Sequence, residues 1–195
     1  LLIYNKEFRK YLENKDITVY NKSKLSKEEK RILEGLNIRI ENNLNNNYEE
    51  KIITEFKGVY SGQLPINEEK DEIKILTNNV LKNCTVYNYE KNEATTIYNF
   101  DKMNSLDKYD IYLSGAVSLI SIENTENKIG KELIVFRDSF ASSFVPLLVE
   151  GYDKITLIDT RYISPKILSQ YIEFNDQDIL FLYSTSIINN SYTLK

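Results

Sequence analysis

Histidine is absent from these 195 residues, and cysteine occurs once. The first absence removes imidazole, the usual base near neutral pH for a serine nucleophile, and with it any Cys/His metal cluster. The lone Cys84 excludes an intrachain disulfide and fits either a reducing cytoplasm or a disulfide-free bacterial exterior, so it leaves the compartment open. No apolar run approaches the length of a membrane span. A glycine-rich phosphate loop is also missing, and no Lys/Arg stripe with interleaved aromatics accompanies the net charge of −4. Cofactors, metals and nucleic acid are therefore not expected. What is present is 42% hydrophobic and 28% charged, the balance of a soluble globular chain long enough for one domain with a sizeable core.

The chain opens on Leu1, Tyr4, Phe8, Tyr11 and Leu12, spaced as one face of a helix over residues 1–14. It has no cap and no lead-in, the expected look of a cut end, with any signal peptide or anchor outside these residues. Ser26 and Glu29 have capping-box spacing ahead of Ile32, Leu33 and Leu36, and Gly35 stands near the end of that short helix. Residues 41–47 are Asn-rich and read as a loop. Tyr48–Phe56 reads as a short helix or strand leading to turns at Gly58 and Gly62. Within 67–107, the stretches 72–76, 85–89 and 95–98 alternate as strands do, which predicts a small β-rich insertion. Its tyrosines could stack on sugar rings, although packing on their neighbours is the commoner role of strand aromatics.

The last third alternates strand and helix: strands over 117–123, 132–136, 154–158 and 178–183, helices over 140–150 and 164–174. That order implies right-handed crossovers and a parallel sheet, and the nearly continuous apolar strands imply cover on both faces. Gly151 is placed to close the first helix, and Ser164-Pro165 to start the second. Ligands of open parallel sheets bind at the C-terminal strand ends. Three polar clusters fall there: Arg137-Asp138-Ser139, Asp159-Thr160-Arg161-Tyr162 and Ser184-Thr185-Ser186. Ser139 follows a strand and precedes a helix, where a hydrolase or acyltransferase places its nucleophile. It is equally well placed to cap that helix, as is Asp138. Asp159 and Arg161 could pair with each other, anchor a loop or bind substrate, with Tyr162 beside them. Ser142 and Ser143 read as small packing positions.

Four segments together are familiar: Tyr112-Leu113-Ser114-Gly115, Arg137 through Pro146, Ile158-Asp159-Thr160-Arg161-Tyr162, and Asp178 through Tyr183. They resemble the C-terminal half of the DHHW family, bacterial proteins related to the alginate acetylation proteins and to SGNH-type hydrolases. Phe56 to Ser61 resembles that family's phenylalanine–glycine turn, and Leu1 to Leu12 resembles the helix after its name-giving Asp-His-His-Trp.

The resemblance implies an α/β fold, a three-layer parallel-sheet SGNH-like sandwich with an N-terminal helical segment and a small β-rich insertion, residues 1–195 forming one N-terminally incomplete domain. It implies Ser139 as nucleophile, Asp138 in support, and Gly115 with the Ser139 N–H as oxyanion donors. The catalytic His and Asp would lie upstream of Leu1. Ala116 stands where the family often has an asparagine. Asp159, Arg161 and Tyr162 are the candidate substrate contacts.

The implied activity is O-acyl (acetyl) transfer or ester hydrolysis on an extracytoplasmic, cell-surface polysaccharide. The implied partners are that polysaccharide, a membrane-bound acyltransferase and the missing N-terminal segment, and the His-free chain is expected to be inactive alone. The alternative is a polysaccharide-binding or assembly module that keeps the fold without the chemistry.

Overall fold

The computed structural model describes residues 48–56 and 71–195, all within the unit Asn42–Lys195. The opening helix, the Ser26–Glu29 box, the Asn-rich loop and the glycine turns at 58 and 62 lie outside the described residues.

Six strands form one sheet, and two more pair separately. β1 (Glu49–Phe56) runs antiparallel to β2 (Asp71–Thr77), burying Ile53, Ile73 and Ile75. Tyr98 and Tyr112 donate their hydroxyls to the carbonyls of Leu76 (2.6 Å) and Lys74 (3.2 Å), tying this pair to the rest of the unit. The main sheet contains β3 (Thr85–Asn88), β4 (Glu93–Thr95), β5 (Leu119–Glu123), β6 (Glu132–Arg137), β7 (Lys154–Ile158) and β8 (Asp178–Leu182), in the order β4-β3-β5-β7-β6-β8. Of the stretch read as an insertion, Thr85–Asn88 and Glu93–Thr95 thus extend the main sheet, and Asp71–Thr77 belongs to the separate pair.

The three strands β7, β6 and β8 are parallel, as their apolar runs imply. The expectation of a wholly parallel sheet needs correction, because β5 runs antiparallel to both β3 and β7. The sheet is mixed. A short turn makes β3 and β4 a hairpin, and β5 enters from the opposite end after the segment 100–118.

Register sorts the side chains between two faces. Leu133, Val135 and Arg137 of β6 share a face with Ile155 and Leu157, all buried. Ile134 and Phe136 share the other with Ile158, and join Leu119, Ile163 and Leu168 in one apolar cluster. The segments after β6 and β7 are shorter as helices than their periodicity predicts. The first is α-helical only over Ala141–Phe144 and continues as a 3₁₀-helix over Val145–Gly151. Pro146 has no N–H to give Ser142, so the α ladder cannot propagate through it. The second is a 3₁₀-helix over Pro165–Gln170, with Ser164 accepting from the Lys166 N–H at 3.4 Å.

The α-helix Asn79–Asn83 is capped by Asn78, whose Oδ1 accepts from Leu81 N–H at 3.0 Å, and its end holds Cys84. The Cys84 Sγ donates to the Val80 carbonyl at 3.1 Å, and burial, aided by Glu126 and Glu150, pushes its pKa up to about 12. Burial does the same to the tyrosines. Tyr112 rises to about 12, and Tyr48 and Tyr98 are pushed above their ordinary value, with Glu150 adding to the first and Tyr112 to the second. Tyr87 packs edge-on against Tyr89 and Tyr98 against Tyr112, and the Tyr109 ring lies tilted on Tyr112 at 5.1 Å. Packing on neighbours is thus their observed role.

Among the described residues no helix is long and apolar enough to cross a membrane. Leu148 is fully buried. Leu148→Ala should lower unfolding free energy by about 3 kcal/mol, read from urea melts. Groups whose folded pKa is raised favour the native state fully below their unfolded pKa, and lose that preference as pH rises through the folded value. The urea midpoint should accordingly hold steady up to pH 8 and fall between about 9 and 12, as Cys84 and the buried tyrosines ionise more readily in the unfolded chain.

Candidate functional site

The parallel strands β7, β6 and β8 end side by side, with β6 in the centre, so the three polar clusters share one sheet edge. Asp138 joins two of them. It is buried, and its Oδ1 accepts from the Phe140 N–H at 3.0 Å while its Oδ2 accepts from the Ser184 N–H at 2.7 Å. The Asp138 N–H in turn donates to the Leu182 carbonyl at 3.3 Å. The aspartate therefore makes the turn that leads into Ala141–Phe144 and fastens it to the end of β8.

Ser139 is half-buried, and its hydroxyl makes no hydrogen bond among the described residues. Its backbone N–H is likewise free, whereas its carbonyl accepts from Ser142 N–H at 3.0 Å. Neither residue caps the helix Ala141–Phe144, whose boundary residue Phe140 has no side-chain cap bond; Asp138 instead closes the turn ahead of it. The Ser139 hydroxyl stays available at the strand end.

Gly115 does not fit the oxyanion role as well. Its N–H donates to the Tyr112 carbonyl at 3.1 Å, closing a turn in which Leu113, Ser114 and Gly115 all take positive φ. A Cβ at Gly115 would stand 2.5 Å from Asp110 Oδ1, so the position is reserved for glycine by contact as well as by its φ of +92°. The same contact puts a carboxylate beside any oxyanion there. Burial, with Asp107 nearby, raises the Asp110 pKa. The exposed Ala116 has no side-chain donor to offer in its place.

Asp159 and Arg161 form a local pair, the first of the open readings. Asp159 is fully buried and accepts from Arg161 Nε at 2.9 Å, Nη2 at 2.6 Å and N–H at 3.1 Å. This pairing holds the Arg161 pKa above its ordinary value. Arg161 also lies 5.2 Å from the Tyr162 ring, which is half exposed. Of the three proposed substrate contacts, only Tyr162 and the outer edge of Arg161 are open to a ligand.

Two residues matter here that the sequence reading left without roles. Tyr109 donates its hydroxyl to Ser143 Oγ at 2.9 Å and accepts from Ser143 N–H at 3.3 Å, bracing the segment after Ser139. Arg137 is completely buried, and burial pulls its guanidinium below the ordinary arginine pKa, with Asp159 opposing that shift and Arg161 reinforcing it. The signal for Arg137 was present in the strand period, since it shares parity with the inward-facing Leu133 and Val135. Nothing in the pattern around Tyr109 pointed to its partner 34 residues away.

Among the described residues no group of three or more His, Cys, Asp or Glu side chains could hold a metal ion. A cavity of about 210 Å³ lies on the opposite half of the sheet, lined by Tyr89, Glu132, Lys154 and Tyr171 among others. None of the strand-end residues Asp138, Ser139, Asp159 or Ser184 lines it, so it is separate from the candidate site.

Asp138→Ala leaves the Phe140 and Ser184 N–H groups without their acceptor and should destabilise the protein by about 2 kcal/mol. Asp138→Asn, which keeps one carbonyl oxygen, should recover part of that loss in the same urea melts.

No family model and no curated protein matches this sequence. Solved structures do. The chain is similar to a DHHW family protein from Eubacterium siraeum, at 21% identity and a TM-score of 0.56, over 72% of this chain and 48% of that one. It is similar to PatB1 of Bacillus cereus carrying a sulfonyl adduct, at 21% identity and a TM-score of 0.55, over the same shares. A second PatB1 structure matches at 18% identity and a TM-score of 0.52, over 77% of this chain and 57% of that one. The chain spans about half the length of the structures it matches. The sequence resemblance to the DHHW family is thereby matched in structure: this is a mixed α/β fold of the kind seen in a DHHW family protein and in PatB1.

Proposed function

We propose that this chain is the nucleophile-bearing part of an SGNH-like O-acyltransferase or esterase. Ser139 is the residue acylated, and the fold in full is a three-layer sandwich of that type. The observation that carries this reading is the division of labour at the turn: Asp138 accepts the Phe140 and Ser184 N–H groups, and among the described residues Ser139 keeps both its hydroxyl and its N–H free. Fold likeness to a PatB1 structure with a sulfonyl adduct supports it, since sulfonyl reagents mark activated nucleophiles.

In the proposed mechanism the Ser139 oxygen attacks an ester carbonyl and its proton passes to a base. The tetrahedral oxyanion is held by the Ser139 N–H, and collapse releases the alcohol and leaves an acyl-serine. Water or a second hydroxyl then takes the acyl group. With histidine absent, the base comes from outside these 195 residues, with an aspartate to orient it. An acetyl group on a cell-surface polysaccharide, outside the cytoplasm and with a membrane-bound acyltransferase as partner, is the substrate setting we assign, on family resemblance alone.

The second reading, a module that binds polysaccharide without modifying it, is favoured by the missing base and by a Gly115 N–H already bonded to Tyr112. One experiment separates the two. The chain is treated with phenylmethylsulfonyl fluoride, with and without imidazole as an added base, and adducts are located by intact mass and peptide mapping. Acyltransferase or esterase chemistry predicts one adduct, on Ser139, formed faster with imidazole and absent from Ser139→Ala. A folded protein that takes no label at Ser139 under either condition leaves the binding module as the reading.

A further inference from the structure

Arg137 holds a full positive charge inside the protein with no carboxylate bonded to it among the described residues. Its Nη1 donates to Ser142 Oγ at 3.0 Å and faces the Asp138 carbonyl at 3.5 Å, and its Nη2 donates to the Val117 carbonyl at 3.3 Å. Its Nε has no partner. The neighbouring carboxylates are occupied, Asp138 by the N–H groups of Phe140 and Ser184, and Asp159 by Arg161. A buried cation hydrogen-bonded only to neutral acceptors, with Asp159 and Asp138 attracting it from beyond bonding distance, is unfavourable relative to an apolar side chain of the same reach. Packing alone therefore does not account for an arginine at this position.

The Asp138–Ser139 peptide connects that charge to the candidate nucleophile. Its carbonyl faces the guanidinium, and its N–H is the free amide of Ser139. Peptide resonance couples the two ends, so positive charge on the oxygen side draws electron density from the nitrogen and strengthens the N–H as a donor. Nη1 also binds Ser142, so one group grips the chain on both sides of Ser139.

We propose that Arg137 is a positioning residue for oxyanion stabilisation. It fixes the Asp138–Ser139 peptide and electrostatically strengthens the Ser139 N–H toward negative charge on a bound acyl oxygen. This role rests on the acyl-serine reading of Ser139. It also answers the occupation of the Gly115 amide, because one strengthened donor replaces part of what a second would supply.

The test is base-catalysed hydrogen exchange of the Ser139 amide, followed by NMR in the 195-residue protein, with sulfonyl labelling of the same samples. The wild-type amide should exchange at least as fast as in an unstructured peptide of the same local sequence. Arg137→Met should slow it by about threefold or more, and Arg137→Lys, which restores charge without the fork, should stay within about twofold of wild type. Imidazole-assisted labelling of Ser139 should fall about fivefold or more in Arg137→Met and recover in Arg137→Lys.

Equal amide exchange in folded wild type and Arg137→Met overturns the proposal. So does wild-type protection of about a hundredfold or more, a measurement that needs no variant should Arg137→Met fail to fold. Exchange that follows the expected order, with no sulfonyl label on Ser139 in any sample, upholds the effect of Arg137 on the amide and overturns the acyl-serine reading instead.

Discussion

Two backbone N–H groups from distant parts of the chain, Phe140 just after β6 and Ser184 just after β8, end on one buried carboxylate. Most of what is distinctive at the sheet edge depends on this. Asp138 satisfies both donors, and the adjacent Ser139 hydroxyl is left without a bond among the described residues. Because the aspartate bonds across to β8 as well, it sets the spacing between the central strand and the outer one. A turn built this way is rigid at its base and free at its tip, the condition a reacting side chain needs.

The electrostatics beneath that edge are nearly balanced but unevenly distributed. Asp159 and Arg161 meet in a short bidentate pair, one partner fully buried and the other reaching solvent. Asp138 is bonded by amide donors, and Arg137 bonds only to neutral acceptors, with Asp159 and Asp138 attracting it at longer range. In an interior of low dielectric the field of such a charge extends over several residues, and the Asp138–Ser139 peptide lies within it, its carbonyl 3.5 Å from Nη1.

How much of this was readable beforehand varies with the physics involved. The parallel strands β6, β7 and β8 were visible as unbroken apolar runs, because a strand covered on both faces cannot hide its composition. The direction of β5 was not, since the apolar pattern of a strand is the same read in either sense and only the path of the chain decides it. The helices after β6 and β7 were placed correctly and assigned too much regularity; Pro146 was the local sign that the first would tighten into 3₁₀ turns. At the site, the Asp138-Ser139 turn was legible, but not that neither residue would cap the helix. Two good caps adjoin there, and Asp138 bonds instead to Phe140 and to Ser184, some 46 positions on. The bonding of Gly115 to Tyr112 was hidden for a similar reason: a glycine suits a tight turn and an oxyanion donor equally, and sequence does not show where its N–H points.

The outermost strand has a consequence for handling the molecule. β8 closes one side of the described sheet with Ile179 and Phe181 about half and two-thirds exposed, and Phe181 stacks on Phe136 at 4.8 Å. It contains no proline, lysine or glycine of the kind that blunts such borders. Among the described residues this border combines unpaired backbone with exposed apolar side chains, the combination through which one sheet extends onto another. Concentration and ionic strength become variables of the sample as much as temperature is.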